Sequence, residues 1–221
     1  MLETDEFYSE NSRKFQRQND SEALANAMAT AIVSDELSED RAAFIASRDF
    51  FFLASVNAKG EPTVSYKGGA PGFVRVMGPK TLVFPNYDGN GMFLSMGNLD
   101  ETRSIGLLFM DFETPHRLRV QGQASVSDDP NRLEMFPGAN LVVDVEVTAC
   151  FVNCARYIHK HTRVDTSHYV PDAEGRQPYP SWKRIDGFQP VLPRKDQGRA
   201  EDHGGAITAD DYAALLAKGQ S

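Results

Sequence analysis

Two cysteines in 221 residues, Cys150 and Cys154, are too few to staple a fold with disulfides. Reduced thiols in a cytoplasmic protein are the expectation. Along an extended chain they stand about 13 Å apart, too far to share one metal ion, so no metal site is expected even with His159, His161 and His168 following. No apolar run approaches the ~20 residues that cross a bilayer. The opening MLETDEFYSENSRKFQ is too acidic and polar for a secretory signal, and no membrane partner is expected. Positive charge is short as well: 23 Lys and Arg against 31 Asp and Glu leave a net charge of −8. The cations are dispersed, which argues against nucleic acid as the main partner while leaving room for a pocket that holds one phosphate. Neither a GxxxxGK[ST] loop nor a strand-linked GxGxxG is present. The GGAPG run at 68–72 fits neither spacing and suits a bulge or a close backbone approach.

What the chain does have is apolar bulk, 41% of residues with 14 Phe, enough for a core. Residues 1 to about 33 read as helix, with SEALANAMATAIV rich in good helix formers. Ser38 followed by Glu39 and Asp40 signals a second helix start. From Phe50 the texture turns to strand. Runs on either side of Asn57-Ala58-Lys59-Gly60 predict a hairpin, and GFVRVMGPKTLVFP repeats the pattern around Gly78-Pro79. SIGLLFMDF, RLRVQGQASVS and LVVDVEVTACFV follow. In RLRVQGQASV the alternation of Leu118 and Val120 with Arg117, Arg119 and Gln121 is that of a half-buried strand. Six or seven strands joined by hairpins predict a mainly β protein with flanking helices, an antiparallel barrel and not a doubly wound sheet. Residues 171–206, rich in Pro, Gly and charge, read as a long surface excursion. ITADDYAALLAKG restarts a helix, with Thr208 as cap and Gly219 after its last turn.

The segment most able to carry chemistry is FPNYDGNGMFLSMGNL at 84–99. Its glycines allow tight turns and close approach to a ligand, its Asn and Ser side chains add neutral donors and acceptors, and successive N–H groups make an anion-binding concavity. A helix starting near Asn90 would add its N-terminus to a phosphate site, with Lys67 supplying charge. A turn decorated with capping Asn residues fits the same composition. Asp111 and Glu113 suit either an acid/base pair or charges at a strand end. His159-Lys160-His161 suits either an anionic substrate or NAD(P)H phosphate, or a solvated loop. Trp182 suits either a flavin shield or an anchor for the excursion.

GGAPGFVRV, FPNYDGNGMFLSMGNL, GLLFMDFETPHRLRVQGQA and NCARYIHKHTR together resemble the pyridoxamine 5′-phosphate oxidase-like, FMN-binding split-barrel family, in its predicted flavin-nucleotide-binding branch. The resemblance covers roughly residues 38–170. It implies a six- to seven-stranded antiparallel split β-barrel at 38–170 and a homodimer with FMN at the subunit interface. Outside its span, the sequence pattern leads us to expect a helical extension at 1–37 and a C-terminal excursion at 171–221 whose terminal helix packs on the barrel. By position, Ser65, Tyr66 and Lys67 would lie beneath the ribityl phosphate, and Pro85, Asn86 and Tyr87 along the isoalloxazine. Asn90, Gly91, Met92, Ser95 and Asn98 would form the phosphate turn. Arg117 and Arg119 would reach the ring edge or the partner's flavin, and Asn153, Arg156 and Tyr157 would make contacts across the dimer.

Two departures bear on activity. Met92 and Phe93 stand where true pyridoxamine phosphate oxidases carry an Arg-Lys pair, and SWKRIDGFQPVLPR lacks their Arg-Leu-His motif. The resemblance therefore implies an FMN-dependent oxidoreductase, with NAD(P)H or a small reduced substrate as donor, that does not oxidise pyridoxamine phosphate. A non-catalytic flavin binder, sensor or electron-transfer partner shares every cofactor residue. A barrel holding haem or deazaflavin F420 is the third reading.

Overall fold

The computed structural model describes residues 7–220. The chain divides into two compact units, one of residues 1–166 and 170–175 and a smaller one of 167–169 and 176–221.

The larger unit opens with two helices, α1 (Glu10–Gln18) and α2 (Glu22–Ile32). They replace the single helix read over 1–33, of which residues 1–6 lie outside the described residues. The break falls at Asn19-Asp20, where Asp20 takes φ 51°, a conformation that stops a helix. Tyr8 Oη donates to the Ala25 carbonyl across this pair. α3 (Glu39–Ala46) begins where the sequence indicates, with the Arg41 N–H donating to Ser38 Oγ.

Seven strands follow: β1 (Phe50–Val56), β2 (Pro62–Gly68), β3 (Arg75–Gly78), β4 (Thr81–Tyr87), β5 (Ser104–Asp111), β6 (His116–Ser127) and β7 (Ala139–Val152). They form one sheet in the order β2-β1-β5-β6-β7-β4-β3, antiparallel throughout. The period-2 pattern decides which face is buried: Phe51, Leu53 and Ser55 point in from β1, Leu118, Val120 and Ala124 from β6. β1 and β4 are four places apart in the sheet, about 19 Å if it were flat, yet the rings of Phe51 and Phe84 meet at 5.1 Å. The sheet therefore rolls round a single core. Its end strands β2 and β3 do not pair with each other, so this is a split β-barrel, mainly β with flanking helices. Gly122 permits the β6–β7 bulge, because a Cβ there would sit 2.4 Å from the Glu146 carbonyl oxygen.

One helix, α4 (Leu94–Thr102), is tied to the barrel. Met96 and Leu99 enter the core, Asn98 Nδ2 donates to Ser55 Oγ at 3.1 Å, and Thr102 Oγ1 donates to the Val56 carbonyl. These bonds fix the middle and end of α4 relative to β1. A short helix, α5 (Pro130–Leu133), joins β6 to β7.

The smaller unit places short helical turns at Ser181–Arg184, Asp186–Val191 and α6 (Arg199–Asp202) within the stretch read as a surface excursion. It has a small core of its own, with Tyr179, Leu192 and Ala200 buried. Lys183 Nζ meets Asp196 Oδ2 at 2.8 Å with both side chains almost wholly buried. α7 (Ala209–Ala217) closes it with the expected Thr208 cap, completed to a capping box by Asp211. Among the described residues no helix is long and apolar enough to cross a membrane, and no group of three or more His, Cys, Asp or Glu could hold a metal ion.

Candidate functional site

A pocket of about 540 Å³ opens along the seam of the barrel. One wall is β2, residues 63–68; the other is the end of β4 and its connection to α4, residues 85–96. It brings together Ser65, Tyr66, Lys67, Pro85, Asn86, Tyr87, Asn90, Gly91, Met92 and Ser95, all singled out from the sequence. The walls are linked at one point, where Ser65 Oγ and Ser95 Oγ lie 3.0 Å apart.

The connection to α4 is shaped by its own residues. A register shift at Asn86/Tyr87 ends the pairing with β7. Asn86 Nδ2 donates to Asn140 Oδ1 at 2.8 Å, which fixes its amide. The Met92 N–H donates to Asn90 Oδ1, and Gly91 takes φ +79°, which a side chain would oppose. The helix begins at Leu94 and not near Asn90. Phe93, its N-cap, is left-handed (φ 48°, ψ 24°), and no side chain caps the helix. The first-turn N–H groups, at residues that line the pocket, are thus left to solvent or a ligand, at the positive end of the helix dipole.

Lys67 is the pocket's only basic residue. It is half-buried and makes no ion pair or hydrogen bond among the described residues, and burial holds its ammonium below the ordinary lysine range. Burial raises the phenols of Tyr66, helped by the charge of Asp49, and of Tyr87, against the pull of Arg75. Both are hydrogen-bond donors at neutral pH.

Six of the residues singled out from the sequence do not line the pocket. Asn98 is buried against Ser55 and anchors α4. Arg117 and Arg119 lie on the outer face of β6, Arg119 with its guanidinium 5.9 Å from the Phe151 ring. Asn153, Arg156 and Tyr157 follow β7, with Tyr157 92% exposed at φ 68°. The pocket adds residues the sequence reading passed over, among them Thr63, Val64 and Phe73. Phe73 directly follows the GGAPG run, and that position was its only signal.

The alternatives left open by the sequence divide here. Asp111 ends β5 and pairs with Arg48 at 2.8 Å. Burial pushes its carboxyl up, but the Thr114 N–H, Arg48 and the Glu113 N–H together hold it below the usual range, as suits a strand-end ion pair. His161 packs edge-on to Phe112, and no histidine lines the pocket.

The family model for pyridoxamine 5′-phosphate oxidase matches residues 37–149, which span the barrel from α3 through most of β7. The chain belongs to the pyridoxamine 5′-phosphate oxidase family. Among solved structures, this family member is similar to a putative pyridoxamine 5′-phosphate oxidase from Lactobacillus delbrueckii, at 22% identity over 53% of this chain and 95% of the other, TM-score 0.44. It is also similar to an FMN-binding protein from Syntrophomonas wolfei, at 13% identity over 63% and 97%, TM-score 0.41. A third is the haem storage protein HutZ from Vibrio cholerae, at 18% identity over 52% and 94%, TM-score 0.38. Likenesses this distant do not distinguish one ligand from another. No curated protein matches the chain.

Proposed function

We propose that the seam pocket binds FMN and that the chain is an FMN-dependent oxidoreductase of the cytoplasm, working as a homodimer. It would pass reducing equivalents between NAD(P)H, or a small reduced substrate, and an acceptor or oxygen. The observation that carries this reading is the pairing of an unpartnered, half-buried Lys67 with an uncapped helix start in one pocket. Each group alone is costly to leave unpaired, and one phosphate would satisfy both.

The residues present fit the cofactor. A volume of 540 Å³ lies within the roughly 300–1,000 Å³ of small-molecule sites. Lys67, Ser65, Ser95 and the first-turn N–H groups of α4 would hold the phosphate. Pro85, Asn86, Tyr87, Phe73 and Met92 offer the mixed apolar and polar wall that a flat ring needs. When bound, FMN supplies hydride and electron-transfer chemistry. The chain's own part is to bind, orient and tune: Asn86, fixed by Asn140, presents one set of polar atoms, and Tyr87 keeps a protonated phenol. No side chain need act as a nucleophile.

Pyridoxamine phosphate is not the substrate in this reading. Met92 and Phe93, 69% and 51% exposed, stand where the oxidases carry their Arg-Lys pair, so Lys67 is the only cation lining the pocket. Consumption of NADH or NADPH by the FMN-loaded protein tests the oxidoreductase reading. Tight FMN with no turnover would assign the chain to non-catalytic flavin binding or electron transfer instead.

A further inference from the structure

Among the described residues only four polar or charged side chains are buried, and they fall into two pairs. Lys183 and Asp196 form one, in the smaller unit. Ser55 and Asn98 form the other, inside the barrel, 1% and 6% exposed, with Asn98 Nδ2 donating to Ser55 Oγ at 3.1 Å. Ser55 follows Phe51 and Leu53 on the buried face of β1, and Asn98 stands between Met96 and Leu99, which enter the core. Both positions would suit an apolar side chain. A buried hydrogen bond adds little net stability, and replacing both partners by apolar groups of the same shape is close to neutral. Stability alone therefore does not account for the pair.

Its place in the fold suggests what does. β1 and β2 pair with Ser55 opposite Thr63 and Leu53 opposite Ser65, and Thr63 and Ser65 line the seam pocket. Ser95 and Asn98 are three residues apart on α4, neighbours on one side of the helix. Two polar links thus join α4 to the β1–β2 hairpin: Ser95 to Ser65 at 3.0 Å in the pocket, and Asn98 to Ser55 in the core. Two more hold the far end of the helix, from Thr102 Oγ1 to the Val56 carbonyl and from the Ala58 N–H to Glu101 Oε2.

A ligand acts differently on these links. In the Ser65–Ser95 bond one hydroxyl donates to the other, so an oxyanion that accepts from both must break it. Neither Ser55 nor Asn98 lines the pocket, and their bond survives. Once the two serines turn to a ligand, Asn98 is the first residue of α4 whose side chain still holds the hairpin. It lies one turn from the uncapped N–H groups.

We propose that Asn98 and Ser55 are positioning residues, whose bond sets the gap between the first turn of α4 and β2 so that one phosphate group spans both walls. The proposal rests on the reading of the seam pocket as a phosphate site. It gives Asn98 a part behind the ligand-binding groups and not among them. A gap that is wrong by a fraction of a bond length stretches or bends several charge-assisted hydrogen bonds at once.

Two variants separate position from stability. Ser55→Ala leaves Asn98 Nδ2 buried without its acceptor and should lower Tm. Ser55→Ala/Asn98→Leu removes both polar groups and should bring Tm back towards that of the unaltered protein. Inorganic phosphate is titrated into the full-length protein against chloride at equal ionic strength, and the backbone amide NMR signals of residues 94–97 report its affinity. The unaltered protein should respond, and both variants should bind phosphate about tenfold more weakly, as for the loss of one charge-assisted hydrogen bond. A double variant that regains stability and phosphate affinity together would overturn the proposal, because the pair would then be structural only. Amides that ignore phosphate in the unaltered protein would overturn it too. Should the double variant not fold, Ser55→Ala decides, and an undiminished phosphate affinity there counts against the proposal.

FMN and riboflavin distinguish failure of this role from failure of the flavin reading. The preference for FMN over riboflavin, which lacks the phosphate, should fall about tenfold in the double variant. If FMN binds and that preference is unchanged, the flavin reading stands and the positioning role falls. If neither flavin binds while residues 94–97 respond to phosphate as expected, the flavin reading falls and the positioning role stands.

Discussion

The chain sets a buried and a half-buried lysine in opposite circumstances. Lys183, in the smaller unit, is 3% exposed and paired with Asp196 at 2.8 Å. Arg199 stands 3.7 Å from the same carboxylate, and Tyr179 Oη donates to the Asp196 carbonyl. Lys67, in the barrel, is half-buried without a partner, and burial holds its ammonium below the ordinary range. A lysine that serves the fold is neutralised from within, because an unpaired buried charge is expensive. A lysine left unpaired in the same pocket as an uncapped helix start carries a cost that the fold does not recover, and a ligand can recover it.

The largest expected effect lies on the structural side. Asp196→Ala leaves Lys183 buried and unpaired, and should cost about 3–5 kcal/mol, seen as a lower urea midpoint for the smaller unit. FMN affinity should not change. A loss of flavin binding in a protein still folded at the barrel would show that the two lysines are not independent.

Next is Lys67→Ala. It should lower FMN affinity by about 1.5–3 kcal/mol, the range of a charge-assisted hydrogen bond, or roughly 10- to 150-fold in Kd. Thermal stability without flavin should hold or rise slightly, since a desolvated charge is removed. An unchanged Kd by fluorescence quenching would mean that the phosphate is misplaced.

The pH dependence sharpens the same contrast. Burial lowers the pKa of Lys67 from 10.5, so between its folded value and 10.5 the unfolded chain binds more protons. Stability of the flavin-free protein therefore gains a contribution as pH rises through that window. A phosphate favours the charged ammonium, so FMN affinity should fall over the same alkaline range. Lys67→Met should flatten that slope, and a slope identical in the variant would assign it to another group.

The smallest expected effect is a control. Thr208→Ala removes the capping box of α7 and should cost about 1 kcal/mol in urea denaturation, with no change in FMN Kd.

Much of this was legible in the sequence, for reasons that particular residues make plain. The strand alternation of Leu118 and Val120 with Arg117 and Arg119 shows which face of β6 is buried, and Ser38 and Thr208 mark helix starts by local chemistry that needs no tertiary context. The turn after β4 was legible as a pocket-forming segment through its Gly and Asn content. Its helix start was not, because Phe93 is a poor cap by type and only the folded connection holds it left-handed. Val64 and Phe73 reach the pocket through the meeting of β2 with residues far along the chain, which periodicity does not encode. Asn98 looked like a ligand residue beside Ser95, yet helical spacing turns it inward to Ser55. The small core of Tyr179, Lys183 and Asp196 was hidden in a stretch whose Pro, Gly and charge content read as exposed.

The most direct measurement is the absorption spectrum of the protein as isolated, followed by titration with FMN. The account expects flavin bands near ~370 and ~450 nm, present at once or appearing on titration as bound FMN, with affinity weakened in Lys67→Ala. A colourless protein that stays so after FMN is added, or a spectrum dominated by a Soret band, would contradict it.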